Sequence, residues 1–307
     1  MRKQKITVYI LTTVLIILLV AVVFKISNHQ QPGSLLRDDD QVIEVENQPA
    51  PRAPYDGNRD LPLALQIDNF IIENELDTDW FSYYITDLTT GETITLNEEE
   101  EFISASIYKL QIALLYYDDI NEGIYSTDDL FRYDEWVGEI GGPVYELYSP
   151  GDYLDLEYLL NVMIELSDNT SAHILYSYRG GWSDMRHEAL KYTDTPPMDN
   201  YYDGRNFLTS TYTNDLLMHI YTHQDEYPDL IDSMQNAQQT EFLNNSIHHI
   251  TAQKTGNNDQ GVGSVGIVFD ENPYAISFLS HFDYNTGQWV MGEINRIVYE
   301  YYYEGAS

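Results

Sequence analysis

Three short words in this sequence hold side chains that could act together on a carbonyl. "SASIYKL" carries Ser106 and Lys109, "ELSDNTS" carries Ser167 and Asn169 on either side of an aspartate, and "AQKTGNN" carries Lys254, Thr255, Gly256 and Asn257. A serine hydroxyl is a weak nucleophile until a neighbour removes its proton. Lysine can do this only when neutral, which requires burial or a nearby positive charge. Residues three apart on a helix share a face, so Lys109 can reach Ser106. A helix beginning there would also favour the developing alkoxide. Singly, each word is the kind of sequence that caps a helix or makes a turn. Their order, and the type of element on which each falls, is what makes them specific.

The elements that must position these words can be read from hydrophobic periodicity. "LPLALQIDNFIIENEL" has helical spacing, and "WFSYYITDLTTGETITLNEEEEF" alternates as two strands around a "TTGE" turn. A helix is expected to start near Ser106. "LDLEYLLNVMIEL" places Leu156, Leu159, Leu160 and Met163 on one face, with Asp155 as N-cap. A second helix, "NTSAHILYSYRGG", closes at Gly180 and Gly181. Residues 193–208 read as a long polar and aromatic loop, followed by the helical "STYTNDLLMHIYTH". "ITAQKTG", "GSVGIVFDE" and "PYAISFLSHFD" read as successive strands, and "WVMGEINRIVYEYYYE" as a closing helix. Strands near both ends and helices in the middle imply one antiparallel sheet completed by both ends of the domain, with a helical lobe inserted. A cleft is expected where sheet and lobe meet.

Ser-x-x-Lys, Ser-Asp-Asn and Lys-Thr-Gly, in this order, resemble the signature of class A β-lactamases and penicillin-binding proteins. The resemblance covers most of residues 61–305, and the text around the triplets is similar too, in "YSPGDYLDLEYLLNVMIELSDNTSAHIL" and "ITAQKTG" with the "GSVGIVFDE" that follows. It implies an α/β protein in the broad sense, an α+β sandwich of the β-lactamase/DD-peptidase-like fold. It implies that Ser106 is acylated, that Lys109 is base or proton relay, and that Ser167, oriented by Lys254, protonates the leaving nitrogen. Asn169 would hold the substrate's amide oxygen and pin Lys109. Lys254 and Thr255 would bind the carboxylate common to penicillins and D-Ala-D-Ala ends. Gly256 would let the substrate lie along the strand. The N–H groups of Ser106 and Asn257 would form the oxyanion hole. Tyr148, in "LYSPG", matches the family's aromatic at the cleft rim. No cofactor is implied, and the histidines, His248 and His249 included, have no metal-ligand spacing.

The chain departs from the family in two places. Class A enzymes carry a loop glutamate that activates the deacylating water, but "TDTPPMDNYYDGRNFLTSTYT" has none. After Asp194, Asp199 and Asp203 are the loop carboxylates near that place, each one methylene shorter than glutamate, which displaces the water. "EFLN" at 241–244 is too close to the third word to serve. The strand "PYAISFLSHF" also lacks the arginine that often helps bind the substrate carboxylate.

Composition bounds the rest. The chain has 307 residues, 15 basic and 50 acidic, and a net charge of −35. The charges of residues 1–60 cancel, so the whole excess lies in 61–307, where only eight basic side chains occur. That surface repels phosphate backbones, which argues against nucleic acid as a partner. There is no cysteine, hence no disulfide, thiolate or cysteine lipid anchor. "MRKQK" followed by the uncharged run from Ile6 to Phe24 reads as a cytoplasmic basic start and a transmembrane anchor over 1–25. Secretion after signal cleavage is the alternative, although no Ala-x-Ala follows the run. Residues 26–60 read as a flexible tether and 61–307 as an extracellular hydrolase domain, acting as a monomer. Three functions are open to such a chain: a β-lactam-hydrolysing enzyme with slow deacylation, a D-Ala-D-Ala peptidase or acyl-accepting sensor of the cell wall, and a surface protein in which the three words are relics.

Overall fold

The computed structural model describes residues 57, 59–247 and 249–303. The expected anchor at 1–25 and nearly all of the expected tether lie outside them. Among the described residues, no helix is long and apolar enough to cross a membrane.

The N-terminal part supplies helix α1 (Leu63–Glu73) and strands β1 (Phe81–Asp87), β2 (Thr93–Leu96) and β3 (Phe102–Ile103). A 3-10 turn at Ala105–Tyr108 leads into α2 (Lys109–Asn121). The lobe continues with β4 (Leu130–Arg132), α3 (Pro143–Leu147), β5 (Tyr153–Asp155), α4 (Leu156–Glu165), α5 (Asn169–Tyr178) and α6 (Trp182–Glu188). After the loop come β6 (Phe207–Leu208), α7 (Ser210–Thr222) and α8 (Pro228–Asn236). The C-terminal part gives β7 (Ala252–Asn258), β8 (Gly261–Val268), β9 (Tyr274–Ser280) and α9 (Tyr284–Tyr303).

Five strands form one antiparallel sheet in the order β2-β1-β9-β8-β7. It is completed by both ends of the domain, as the order of periodic segments implies. Alternation along the central strands divides the core in two. Ile276 and Phe278 of β9 point to the face covered by α1 and α9, where Ile67, Phe70, Val290 and Ile294 are buried. Ala275 and Leu279 point the other way, onto the lobe with Leu216 and Leu217 of α7. β7 is an edge strand, so one side of it is available to whatever lies in the cleft.

Local signals fix the lobe. Asp155 Oδ1 accepts a hydrogen bond from Tyr158 N at 2.7 Å and caps α4. Asp168 Oδ1 does the same for α5 through Ser171 N at 2.7 Å. α5 ends where Gly180 and Gly181 take positive φ of 85° and 101°. The periodicity does not reveal the antiparallel pairing of β4 with β5 or the helices α3, α6 and α8. Three-residue strands and helices of two turns or so are too short to display a period.

Candidate active site

The site is built at the junction of α2, the start of α5 and the edge strand β7. Ser106 lies in the 3-10 turn and Lys109 is the first residue of α2. The expectation of a plain helix is therefore refined. Side chains three apart eclipse one another in a 3-10 turn, which draws the pair together. Ala105, just before the serine, is held at φ 46°, a left-handed conformation that a residue with a side chain adopts only under constraint. The constraint is visible next door: Ser104 N and Oγ both donate to Asn206 O, at 2.9 and 2.7 Å.

Lys109 Nζ lies 3.0 Å from Ser106 Oγ, 2.6 Å from Ser167 O and 2.5 Å from Asn169 Oδ1. The last two oxygens can only accept. A neutral amine has two N–H groups and one lone pair. With both N–H groups given to those oxygens, the lone pair is left for the Ser106 hydroxyl. The lysine is fully buried, and burial pushes its pKa down to about 7 against the opposing pull of the Asp168 and Glu139 carboxylates. Ser167, at φ 58°, turns the chain so that both its carbonyl and its hydroxyl face the lysines. Ser167 Oγ is 3.3 Å from Lys109 Nζ and 3.0 Å from Lys254 Nζ. Lys254 also donates to Thr255 O at 2.9 Å. Its pKa is driven well below that of a free lysine, first by burial and then by Lys109.

Asp168 is buried and makes this turn rigid. Its Oδ2 accepts from Val144 N at 2.9 Å, and a Cβ at Gly142 would come within 2.3 Å of the same oxygen. Gly256 is required for a reason of its own. A Cβ there would stand 2.2 Å from Ser104 O, so the bare backbone is what lets β7 close onto the turn that carries the nucleophile.

A cleft of about 570 Å³ opens in front of Ser106. Asn169 and Asn257 line it, together with Tyr108, Tyr176 and Trp182. Thr255 is 5 % exposed and lies behind this surface. Tyr148 packs against Tyr158 with tilted rings, centroids 5.6 Å apart, and does not line the cleft. Neither loop aspartate lines it either. Asp199 is exposed, and Asp203 turns to Arg205, accepting from its backbone N at 2.8 Å and its Nε at 3.1 Å, which lowers the aspartate's pKa. Among the described lining residues the carboxylate is Glu139, on which the sequence motifs are silent. Glu139 Oε1 accepts from Asn169 Nδ2 at 2.7 Å, and Oε2 faces His173 Nε2 at 3.3 Å. The histidine does have a signal in the sequence: Asn169 and His173 are four apart on α5 and so share a face. Among the described residues no cluster of histidines and acids is arranged to hold a metal.

These three segments, far apart in sequence, meet at one buried pair of amines, and that geometry can be set beside known proteins. The pattern of the β-lactamase enzyme family matches residues 62–302. The chain belongs to the β-lactamase enzyme family. Solved structures agree with the family's fold. An acyl-enzyme complex of a PBP-A mutant with penicillin G superposes with a TM-score of 0.68 at 19% identity, covering 79% of this chain and 96% of that one. A β-lactamase from Chitinophaga pinensis gives 0.66 at 19% identity, over 78% and 98% of the two chains. The TLA-1 extended spectrum β-lactamase gives 0.67 at 19%, again over 78% and 98%. No curated protein matches in sequence. As a member of the β-lactamase family, the chain is a hydrolase of the serine type, and its fold is that family's mixed helix and sheet.

Proposed function

We propose that this protein is a membrane-anchored, monomeric hydrolase with its domain outside the cell, acylated on Ser106 by β-lactams and deacylated slowly. The observation that carries the reading is the placement of Lys109 Nζ, 3.0 Å from Ser106 Oγ with two carbonyl-type oxygens engaging its N–H groups. Neutral Lys109 takes the hydroxyl proton as Oγ bonds to the carbonyl carbon. The N–H groups of Ser106 and Asn257 receive the oxyanion. The tetrahedral carbon then expels its nitrogen, which takes the Ser167 proton. Ser167 is refilled from the lysine ammonium beside it. The result is an acyl ester on Ser106 and an opened ring.

The Lys-Thr-Gly word assigns the substrate carboxylate to Lys254 and Thr255, both buried on the edge strand β7. Arrival of that anion favours protonation of Lys254, so substrate binding and proton uptake are coupled. Hydrolysis of the ester needs a water deprotonated in place, and the positions of Asp199 and Asp203 support a slow step there. The same positions favour the second reading, an acyl-accepting sensor or a D-Ala-D-Ala peptidase, in which a lasting β-lactam adduct is the outcome. The uncharged run Ile6–Phe24 behind a basic start supports the anchor.

A fluorescent penicillin followed by intact-mass measurement over time tests this. A single adduct that is absent in Ser106→Ala, with the mutant folded, supports the acylation chemistry. Slow loss of that adduct with release of the hydrolysed drug supports the enzyme, and a permanent adduct supports the sensor or peptidase. Labelling that persists in Ser106→Ala, or no adduct on the wild type at any salt concentration, overturns the assignment.

A further inference from the structure

The mechanism gives Glu139 no part, yet its carboxylate projects into the cleft. Its neighbours define what it would bind. Asn169 Nδ2 donates one hydrogen to Glu139 Oε1 at 2.7 Å and retains a second for another acceptor. His173 Nδ1 lies 3.2 Å from Val137 O, a carbonyl that can only accept, so the ring proton sits on Nδ1. Nε2, 3.3 Å from Glu139 Oε2, therefore presents its lone pair to the carboxylate. Burial also keeps this imidazole below its ordinary pKa, hence neutral in neutral solution. Glu139 is thus a carboxylate in a cleft whose adjacent groups are an amide and an uncharged ring.

The walls complete the arrangement. Tyr108, Tyr176 and Trp182 line the same cleft, with the Trp182 ring 5.0 Å from Tyr108 and 6.0 Å from Tyr176, both edge to face. A carboxylate beside aromatic faces is the chemistry that holds an ammonium group. We propose that Glu139, with the Tyr108, Tyr176 and Trp182 wall, forms a subsite for a protonated primary amine on the acyl side of the substrate. The position of that amine follows from Asn169. If its free N–H holds the oxygen of the substrate's side-chain amide, an ammonium on the carbon next to that carbonyl lies beside Glu139. This rests on the acylation chemistry proposed above and adds a selectivity to it.

Ampicillin and penicillin G differ by just such an ammonium group, so the pair isolates the interaction. Second-order acylation rate constants are measured for both, on the wild type and on Glu139→Gln, in about 1 M salt, where screening shortens to roughly 3 Å and the overall charge of the domain no longer discriminates. Glu139 is 46 % exposed and glutamine has its shape, so the variant should fold. Wild type is expected to favour ampicillin by about tenfold, which is the size of one charge-assisted contact. Glu139→Gln is expected to bring the ratio near one, and the ratio is the readout because loss of the carboxylate's pull on Lys109 and of its bond to Asn169 alters both drugs alike. A wild type without preference, or a preference that survives in Glu139→Gln, overturns the subsite while leaving Ser106 acylation intact. Failure of both penicillins to acylate the wild type removes the acylation chemistry, and the subsite with it.

Discussion

Lys109 can act as a base because of where its two hydrogens go. Burial depresses the pKa to about 7, and the Ser167 and Asn169 oxygens then orient the neutral amine so that its lone pair meets Ser106. The sign of the pH dependence follows. Below this pKa the ammonium predominates and cannot take the serine proton. Above it the amine is free to do so. Acylation by a β-lactam should therefore rise with pH through about 7 and then level off. Lys109→Arg keeps a charge that does not titrate in this range. It should lose the rising limb and slow acylation by about 10²–10⁴-fold. Stopped-flow labelling from about pH 5 to pH 9 reads both, since that range spans the transition. A wild-type profile that is flat across it would show that Lys109 is not the base.

At the scale of elements, the site depends on a loop that supplies it with no carboxylate. Residues 193–206 are held by Arg186 of α6, which is completely buried and, among the described residues, has no acidic partner. Its Nε donates to Tyr201 O at 2.9 Å, Nη1 to Gln111 Oε1 at 3.0 Å and Nη2 to Phe207 O at 2.9 Å, while the guanidinium lies 3.9 Å above the Tyr201 ring. The loop in turn presents Asn206 O to Ser104, two residues before the nucleophile. Arg186→Met leaves these acceptors buried and unpaired, each worth about 1–3 kcal/mol. It should lower the melting temperature, and acylation should slow even where the variant remains folded. Unchanged acylation by folded Arg186→Met would show that the loop does not set the serine. Little of this is legible in the sequence. The three words, the Asp155 cap and the alternating strands announce themselves because each is a local pattern. Arg186 reads as one more surface base, and its role arises only when three segments close around it. Glu139 is hidden for the same reason: its meaning comes from Asn169, 30 residues away. Gly256 reads in the sequence as room for substrate, whereas the Ser104 carbonyl occupies the space a side chain would need.

At the scale of the whole molecule, the acid excess has nothing left to balance it. Of the eight basic side chains after residue 60, Lys109 and Lys254 are buried in the site and Arg186 is spent on neutral oxygens. The other five are already paired: Arg132 with Asp134, Arg179 with Asp119 and Glu188, Lys191 with Asp118, Arg205 with Asp203, and Arg296 with Glu293 and Glu300. The remaining carboxylates repel one another across the surface, and folding brings them closer together. Salt shortens the screening length from about 30 Å at 0.01 M to about 3 Å at 1 M, so it should stabilise the folded domain. A relief of about 2 kcal/mol would raise the melting temperature by roughly 4–8 °C for a domain of this size. The same field opposes the approach of anionic substrates, so acylation by penicillin G should accelerate over this range, and acylation by zwitterionic ampicillin should change less. Thermal melts and labelling rates across the salt series measure both effects on one sample. A melting temperature that stays level from low to molar salt would mean that this charge is neutralised in some other way. The acidity would then lose its place as the force that both loosens the fold and selects the substrate.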